Sequence, residues 1–110
     1  MTDMLKDKKC LPCEGGVEPM KPEEIKQMLK KLNGWEYVNN CISKTYKFND
    51  YHQTMAFLNA TAWVSHREDH HPDITVTYNS CRVEYVTHAI DGLSENDFIC
   101  AAKIDELNQM

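Results

Sequence analysis

Two stretches of alternating residues, each centred on an asparagine-containing dipeptide, constrain this chain more than any other feature. WEYV and CISKTYKF flank Asn39-Asn40, and ITVTY and CRVEYVTH flank Asn79-Ser80. In an extended chain successive side chains point to opposite faces, so alternation of this kind makes half-buried strands. Asparagine tolerates the positive φ that a two-residue turn demands. Each stretch is therefore predicted as a β-hairpin. If Asn79 and Ser80 form the second turn, Tyr78 faces Cys81, Val76 faces Val83 and Ile74 faces Tyr85. The aromatic residues at strand positions, Trp35, Tyr37, Tyr46, Phe48, Tyr78 and Tyr85, read as core.

The segments around the hairpins have a helical period. KPEEIKQMLKKLNG carries Pro22 near the first helical position, Glu23 and Glu24 in the first turn, Lys30 and Lys31 in the last, and Gly34 as the stop, which suits the helix dipole at both ends. A second helix is expected from a cap at Asn49 or Asp50 to about Glu68. After Asp91-Gly92 a third begins at Ser94, which forms a capping-box pattern with Asp97 and continues into the stripe Phe98, Ala101, Ala102 and Ile104. The order α-β-β-α-β-β-α implies an α+β fold, a four-stranded, mostly antiparallel sheet with helices packed on one face. Residues 1–20, with Gly15-Gly16 and no periodicity, read as an N-terminal arm, and 21–110 as a single domain.

The second helix has two apolar faces. Tyr51, Met55, Leu58 and Ala62 share one sector, while Phe57, Ala60 and Val64 cluster nearly opposite. A single sheet layer buries only one of them. The expectation is a homodimer or homotetramer assembled through helix 49–68.

Composition removes several classes of function. Twelve Lys and Arg against seventeen Asp and Glu leave a net charge of −5, the wrong sign for neutralising several phosphates, so no nucleic-acid partner is expected. The longest apolar run, MAFLNATAWV, is interrupted by Asn59 and Thr61 and falls short of the roughly 20 residues that span a bilayer. No membrane association is expected. Five cysteines cannot all pair within one chain, and MTDMLKDKKC has no apolar core of a secretory leader, so reduced thiols in a cytoplasmic location follow. Cys10-Leu11-Pro12-Cys13 is a single CxxC without a second pair, a weak zinc or redox signal beside its reading as small anchors in the arm.

Histidine is where chemistry concentrates. His66, His70, His71 and His88 lie in or near the second hairpin and the helix end that feeds it, and His52 stands alone. Continuing the register of that hairpin sets His71 opposite His88. Asp69 adds a carboxylate that could orient an imidazole, and an imidazole with an ordinary pKa near 6.5 is a natural proton donor and acceptor at neutral pH. Histidines and carboxylates also ligate zinc and iron, and His66 and His70 stand four apart, but no HExxH is present. From the residues alone, metal-free acid–base work, a metal site and plain surface histidines all stay open. No glycine-rich phosphate loop or GxSxG elbow occurs.

EDHHPDITVTYN followed by VTHAIDGLSENDFICAAKID resembles the pterin-4a-carbinolamine dehydratase family, whose signature is His-His-Pro, then Thr-His one strand later, then a Gly-Leu-(Ser/Thr)-x-x-Asp helix start. The likeness runs from Gly34-Trp35 to Asp105, and CLPCEGG is similar to an arm of bacterial and plant members. The resemblance implies dehydration of 4a-hydroxytetrahydropterin to quinonoid dihydropterin, a step in recycling the tetrahydrobiopterin cofactor of aromatic amino-acid hydroxylases, with no metal and no organic cofactor. It implies His70, His71, His88 and Asp69 as catalytic residues. Pterin contacts are implied along Asp69, His70, His71 and Pro72 and along Val86, Thr87, His88 and Ala89. The expected division has His70 and His88 as the proton-transfer pair, His71 as binder and shared donor, and Asp69 as orienter. A functional link to an aromatic amino-acid hydroxylase follows from the same likeness.

Two positions depart from the family pattern. His66 stands where many members carry Glu, and Ile74 where many carry Trp. Animal members also act as dimerisation partners of a homeodomain transcription factor through the corresponding helix, so the alternative reading is a protein-interaction module with little dehydratase activity. A metal-dependent hydrolase is a third.

Overall fold

The computed structural model describes residues 4–11 and 18–108. Cys13 and Gly15-Gly16 lie outside the described residues. The elements follow the expected order: α1 (Pro22–Leu29), β1 (Glu36–Val38), β2 (Cys41–Lys47), α2 (Tyr51–Glu68), β3 (Asp73–Val76), β4 (Ser80–Tyr85) and α3 (Glu95–Leu107). Two single turns of 3₁₀ helix, Leu5–Asp7 and His88–Ile90, complete the chain.

The strands form one sheet in the order β1-β2-β4-β3, antiparallel throughout. Ile42 and Tyr46 of β2 and Cys81, Val83 and Tyr85 of β4 share its inner face and join Phe57 and Val64 of α2 and Phe98, Ala101 and Ile104 of α3 in the core. The opposite face is polar, with Arg82 reaching Glu84 and Ser43. This is the α+β architecture the alternation implied, with the helices segregated to one side.

The first hairpin turns where expected. Asn39 and Asn40 both have positive φ, 53° and 64°, as a type I′ turn requires. The second hairpin departs by two residues. Ile74 pairs with Val83 and Val76 with Cys81, so the turn is Tyr78-Asn79, closed by the Thr77 N–H on the Ser80 carbonyl at 2.9 Å. A one-residue slip would exchange the two faces of a strand, whereas a two-residue slip leaves every side chain on its own face. The apolar alternation is blind to the difference. Ser80, assigned above to the turn, instead pairs with Lys47 in the β2–β4 ladder. In its turn position Tyr78 is 64% exposed, and Tyr37 is also exposed, so neither belongs to the core.

Helix α1 stops at Leu29, short of Gly34, and the chain tightens through Lys31 N–H to Met28 O and Leu32 N–H to Leu29 O. The Asp50 carboxylate caps α2 by accepting the Gln53 N–H at 2.8 Å. The inner face of α2 buries Phe57 and Val64 together with Thr54, Thr61 and Glu68. The face with Tyr51 and Ala62 stays at the surface, and Trp63 beside it is 60% exposed. The two-faced pattern thus corresponds to one packed face and one uncovered one.

The described part of the arm belongs to the packing. Leu5 is 5% exposed within the core. Lys103 of α3 donates to the Lys6 carbonyl at 2.9 Å, and Met20 N–H donates to Leu93 O at 2.9 Å. A Cβ on Gly92 would come within 2.6 Å of Pro19 Cβ, so this close approach of arm to turn requires glycine.

Candidate active site

A cleft of about 450 Å³ opens where the end of α2, the end of β4 and the start of α3 meet. Its wall includes Asp69, His70, His71, Val86, Thr87, His88 and Ala89. Of the expected catalytic and pterin-contact residues all but Pro72 are in that wall, and His66, the other member of the four-apart histidine pair, is not in it. Three local features produce the arrangement. The chain leaves α2 through Asp69 in the left-handed conformation, φ 53°, with the His70 N–H returned to the Ser65 carbonyl at 3.1 Å. Beyond β4, Thr87 and Gly92 bridge around the 3₁₀ turn His88–Ile90, which holds His88 and Ala89 outward. Ser94 then starts α3 directly beneath.

His70 is the most constrained of the histidines. Its Nε2 lies 2.6 Å from Asp97 Oδ1, and its ring stacks on Tyr85, 5.8 Å between centroids and 9° from parallel. Asp97 is fully buried. Its other oxygen, Oδ2, accepts the Thr87 hydroxyl at 2.8 Å and the Ser94 N–H at 3.0 Å. Thr87 spends its only hydroxyl proton on Asp97, so in the 2.8 Å contact between the two hydroxyls Ser94 donates to Thr87. The buried carboxylate therefore accepts three bonds, as a charge out of water requires. An Asp97 carboxylate that accepts from His70 Nε2 fixes that proton and leaves Nδ1 as the variable position. Burial raises the Tyr85 hydroxyl above its ordinary range, so Tyr85 serves as a neutral stacking surface.

His71 and His88 are both exposed and share the cleft wall. They are not cross-strand partners. The observed register, carried past the last pair Asp73–Glu84, would set His71 against Val86. They meet through the loops instead. Asp69 is also exposed, and the carboxylate hydrogen-bonded to an imidazole is Asp97, which the sequence identified only as a helix cap. Nothing in its spacing distinguishes a capping aspartate from one that also holds a histidine. Cap and clamp are the same side chain.

The remaining wall includes Glu68, which the sequence offered as a nearby acid in place of the family's Glu at position 66, together with Cys10 and Leu11 of the arm, Arg67 and Asn96, which it did not single out for this site. Glu68 accepts the Cys10 N–H at 2.8 Å, and Asn96 exchanges two bonds with Leu11, N–H to Oδ1 at 3.0 Å and Nδ2 to O at 2.5 Å. Burial would raise the Glu68 pKa, but the Cys10 N–H together with Lys103 and Lys9 outweighs it and holds the carboxyl below its ordinary value. Arg67 stacks over Trp63 at 4.8 Å. Among the described residues no group of three His, Cys, Asp or Glu side chains is disposed to hold a metal ion, and no helix is long and apolar enough to cross a membrane. The arrangement offers proton transfer among imidazoles in a small open cleft.

Residues 18–107 match the family model described as pterin 4 alpha carbinolamine dehydratase. A Nitrosospira multiformis protein, whose provisional name is pterin-4-alpha-carbinolamine dehydratase, is 63% identical over 108 residues, 98% of this chain and 96% of its own. A Nitrosomonas eutropha protein of the same provisional name is 65% identical over 104 residues, 94% of this chain and 92% of its own. Among solved structures, a transcriptional coactivator/pterin dehydratase from Brucella melitensis superposes with a TM-score of 0.79 at 28% identity, covering 82% of this chain and 98% of the other. A pterin dehydratase-like protein described as a RuBisCO assembly factor in the alpha-carboxysome gives 0.59 at 26% identity, covering 68% and 89%.

Proposed function

Because the chain belongs to the pterin 4 alpha carbinolamine dehydratase family, we propose that the histidine cleft removes water from 4a-hydroxytetrahydropterin to give quinonoid dihydropterin. The chain is a hydro-lyase on this reading, and histidine acid–base catalysis in tetrahydrobiopterin recycling is its finer content. The observation that carries the reading is His70 held by a buried Asp97 at the wall shared with His71 and His88. Loss of water from C4a needs a proton on the departing hydroxyl and removal of the proton on N5. Positioned proton transfer of this kind contributes about 10²- to 10⁴-fold. His70 and His88 form the transfer pair, and His71 binds substrate and shares the donor role. Asp69, at the rim, helps hold the substrate alongside Pro72, Val86, Thr87 and Ala89. A cytosolic location and a hydroxylase that supplies the carbinolamine complete the proposal.

The test replaces His70, His71 and His88 singly with Ala and follows dehydration of freshly generated carbinolamine by stopped-flow absorbance at several pH values. The expected result is a fall of about 10²-fold or more for His70 and His88 and a smaller, KM-weighted loss for His71. Unchanged rates in all three variants would overturn it.

The uncovered face of α2 favours a second reading, association through Tyr51, Met55, Leu58 and Ala62 with a second copy or another protein. The coactivator and assembly-factor descriptions of two structural neighbours support it. Sedimentation of the wild type beside a Leu58→Glu variant tests it. A homodimer or homotetramer that the variant dissociates supports assembly, and a monomer at high concentration with full dehydratase activity counts against it.

A further inference from the structure

The thiols of Cys10 and Cys100 meet. Their sulfurs are 3.5 Å apart, although the residues lie at opposite ends of the sequence and on different elements, Cys10 in the arm and Cys100 in the middle of α3. The dehydration chemistry above uses neither. Cys100 is completely buried in the core, whereas Cys10 is only half-buried and lies in the cleft wall. Cys10 is held by its N–H on Glu68, at the foot of Asp69 and His70, and its thiol also points to the Asn96 carbonyl at 3.7 Å. The neighbouring Leu11 is clasped by Asn96. Among the described residues the arm reaches the cleft through these two, held by non-covalent bonds to α2 and α3 beside a pair of free thiols.

We propose that Cys10 and Cys100 are a dithiol modification site which a small-molecule disulfide oxidises to an intramolecular disulfide, fastening the arm to α3 as a permanent wall of the cleft. The half-buried Cys10 is the one an external oxidant can reach. Its thiolate attacks the disulfide RSSR, forming a Cys10–SR mixed disulfide and releasing RS⁻. The Cys100 sulfur then attacks Cys10, loses its proton and expels the second RS⁻. Two cysteine thiols and one RSSR become one protein disulfide and two RSH, so atoms and electrons balance. Bonding requires the sulfurs to close from contact to about 2.05 Å. The movement falls on the surface-laid arm, since Cys100 is fixed by the core. The pairing is independent of the dehydratase reading, because its readout is covalent mass.

The experiment treats the full chain with oxidised glutathione, blocks remaining thiols by alkylation, and maps disulfides by peptide mass spectrometry. Hydrogen exchange of residues 4–11 is measured on the same samples. The expected result is loss of two free thiols per chain and a Cys10–Cys100 linked peptide, present in the wild type and in C13S and absent in C10S. Exchange in the arm should slow by about tenfold on oxidation. C100S alters a fully buried core position, so C10S, at the half-buried edge of the core, is the deciding variant. A stable glutathione adduct on Cys10 with Cys100 still alkylatable, a Cys10–Cys13 pair, or no reaction would each overturn the proposal.

Discussion

Helix α3 carries two aspartates that gather hydrogen bonds from distant parts of the chain, and they end in opposite circumstances. At its start Asp97 accepts from His70, Thr87 and Ser94. Two turns later Asp105 accepts from Trp35 Nε1 at 2.9 Å, from Lys44 Nζ at 2.8 Å and from the Tyr46 hydroxyl. Asp105 gathers all three donors from other elements, and Asp97 two of its three, Ser94 being the N-cap of α3 itself. The difference is in what the donors can do. An ammonium and an indole N–H can only donate, so the Asp105 cluster holds β2 and the segment before β1 against α3. The Asp97 cluster contains an imidazole, that of His70, on a cleft wall. On the proposed function one cluster passes a proton, while the other holds a shape.

The largest effect that separates them is on rate. Asp97→Asn keeps the size of the side chain but presents an amide where His70 needs a carboxylate. Dehydration should fall by about 10²-fold or more, with a changed pH profile in stopped-flow assays. Full activity in Asp97→Asn would erase the distinction.

The next effect is on stability. Asp105→Ala removes the acceptor of Trp35 and Tyr46 and leaves Lys44 its bond to the Asn33 carbonyl at 2.8 Å, and partial exposure of the ion pair, with side chains 21% and 17% accessible, moderates the loss to about 2–4 kcal/mol. Urea unfolding should report it, while the rate per folded molecule stays near the wild-type value. A change in rate with unchanged stability would invert the comparison.

A smaller effect appears at alkaline pH. Burial, followed by the Asp105 hydrogen bond, raises the Tyr46 hydroxyl above its ordinary 10.0, and burial also raises Tyr85. A raised folded pKa contributes stability that is fully present below the unfolded value and is lost as pH climbs past it. Stability should therefore fall above about pH 10, by up to about 1.4 kcal/mol per pH unit per tyrosine. Tyr46→Phe should flatten that slope while lowering stability at pH 7. An unchanged slope in this variant would place the alkaline loss elsewhere.

Much of the scaffold was legible in the residues. Asn39-Asn40 fixed the first turn because two adjacent positive φ angles leave few other sequences. Asp50 and Ser94 marked helix starts because orphaned N–H groups need an acceptor there. The two-residue slip of the second hairpin was not legible, since Val76 looks inward whether it faces Val83 or Cys81, and pairing with β2 decides between them. For the site, the residues around His70 and His88 were marked by chemistry and by family likeness. The second task of Asp97 was hidden because its partner lies 27 positions away. The arm's share of the wall was hidden for the same reason, as nothing near Cys10 announces Glu68 or Asn96. Among the described residues no three His, Cys, Asp or Glu side chains stand together as the metal-dependent alternative would need.

The seating of the arm on α3 also sets an order of events during synthesis. Lys6, Cys10 and Leu11 are made well before their partners Asn96, Cys100, Lys103 and Glu106. The sheet and α2 can begin to pair while the chain is still being extended, but this contact spans nearly the whole sequence, and closing so long a loop is slow relative to local pairing. The wall of the cleft that the arm supplies is therefore completed only once α3 has been made.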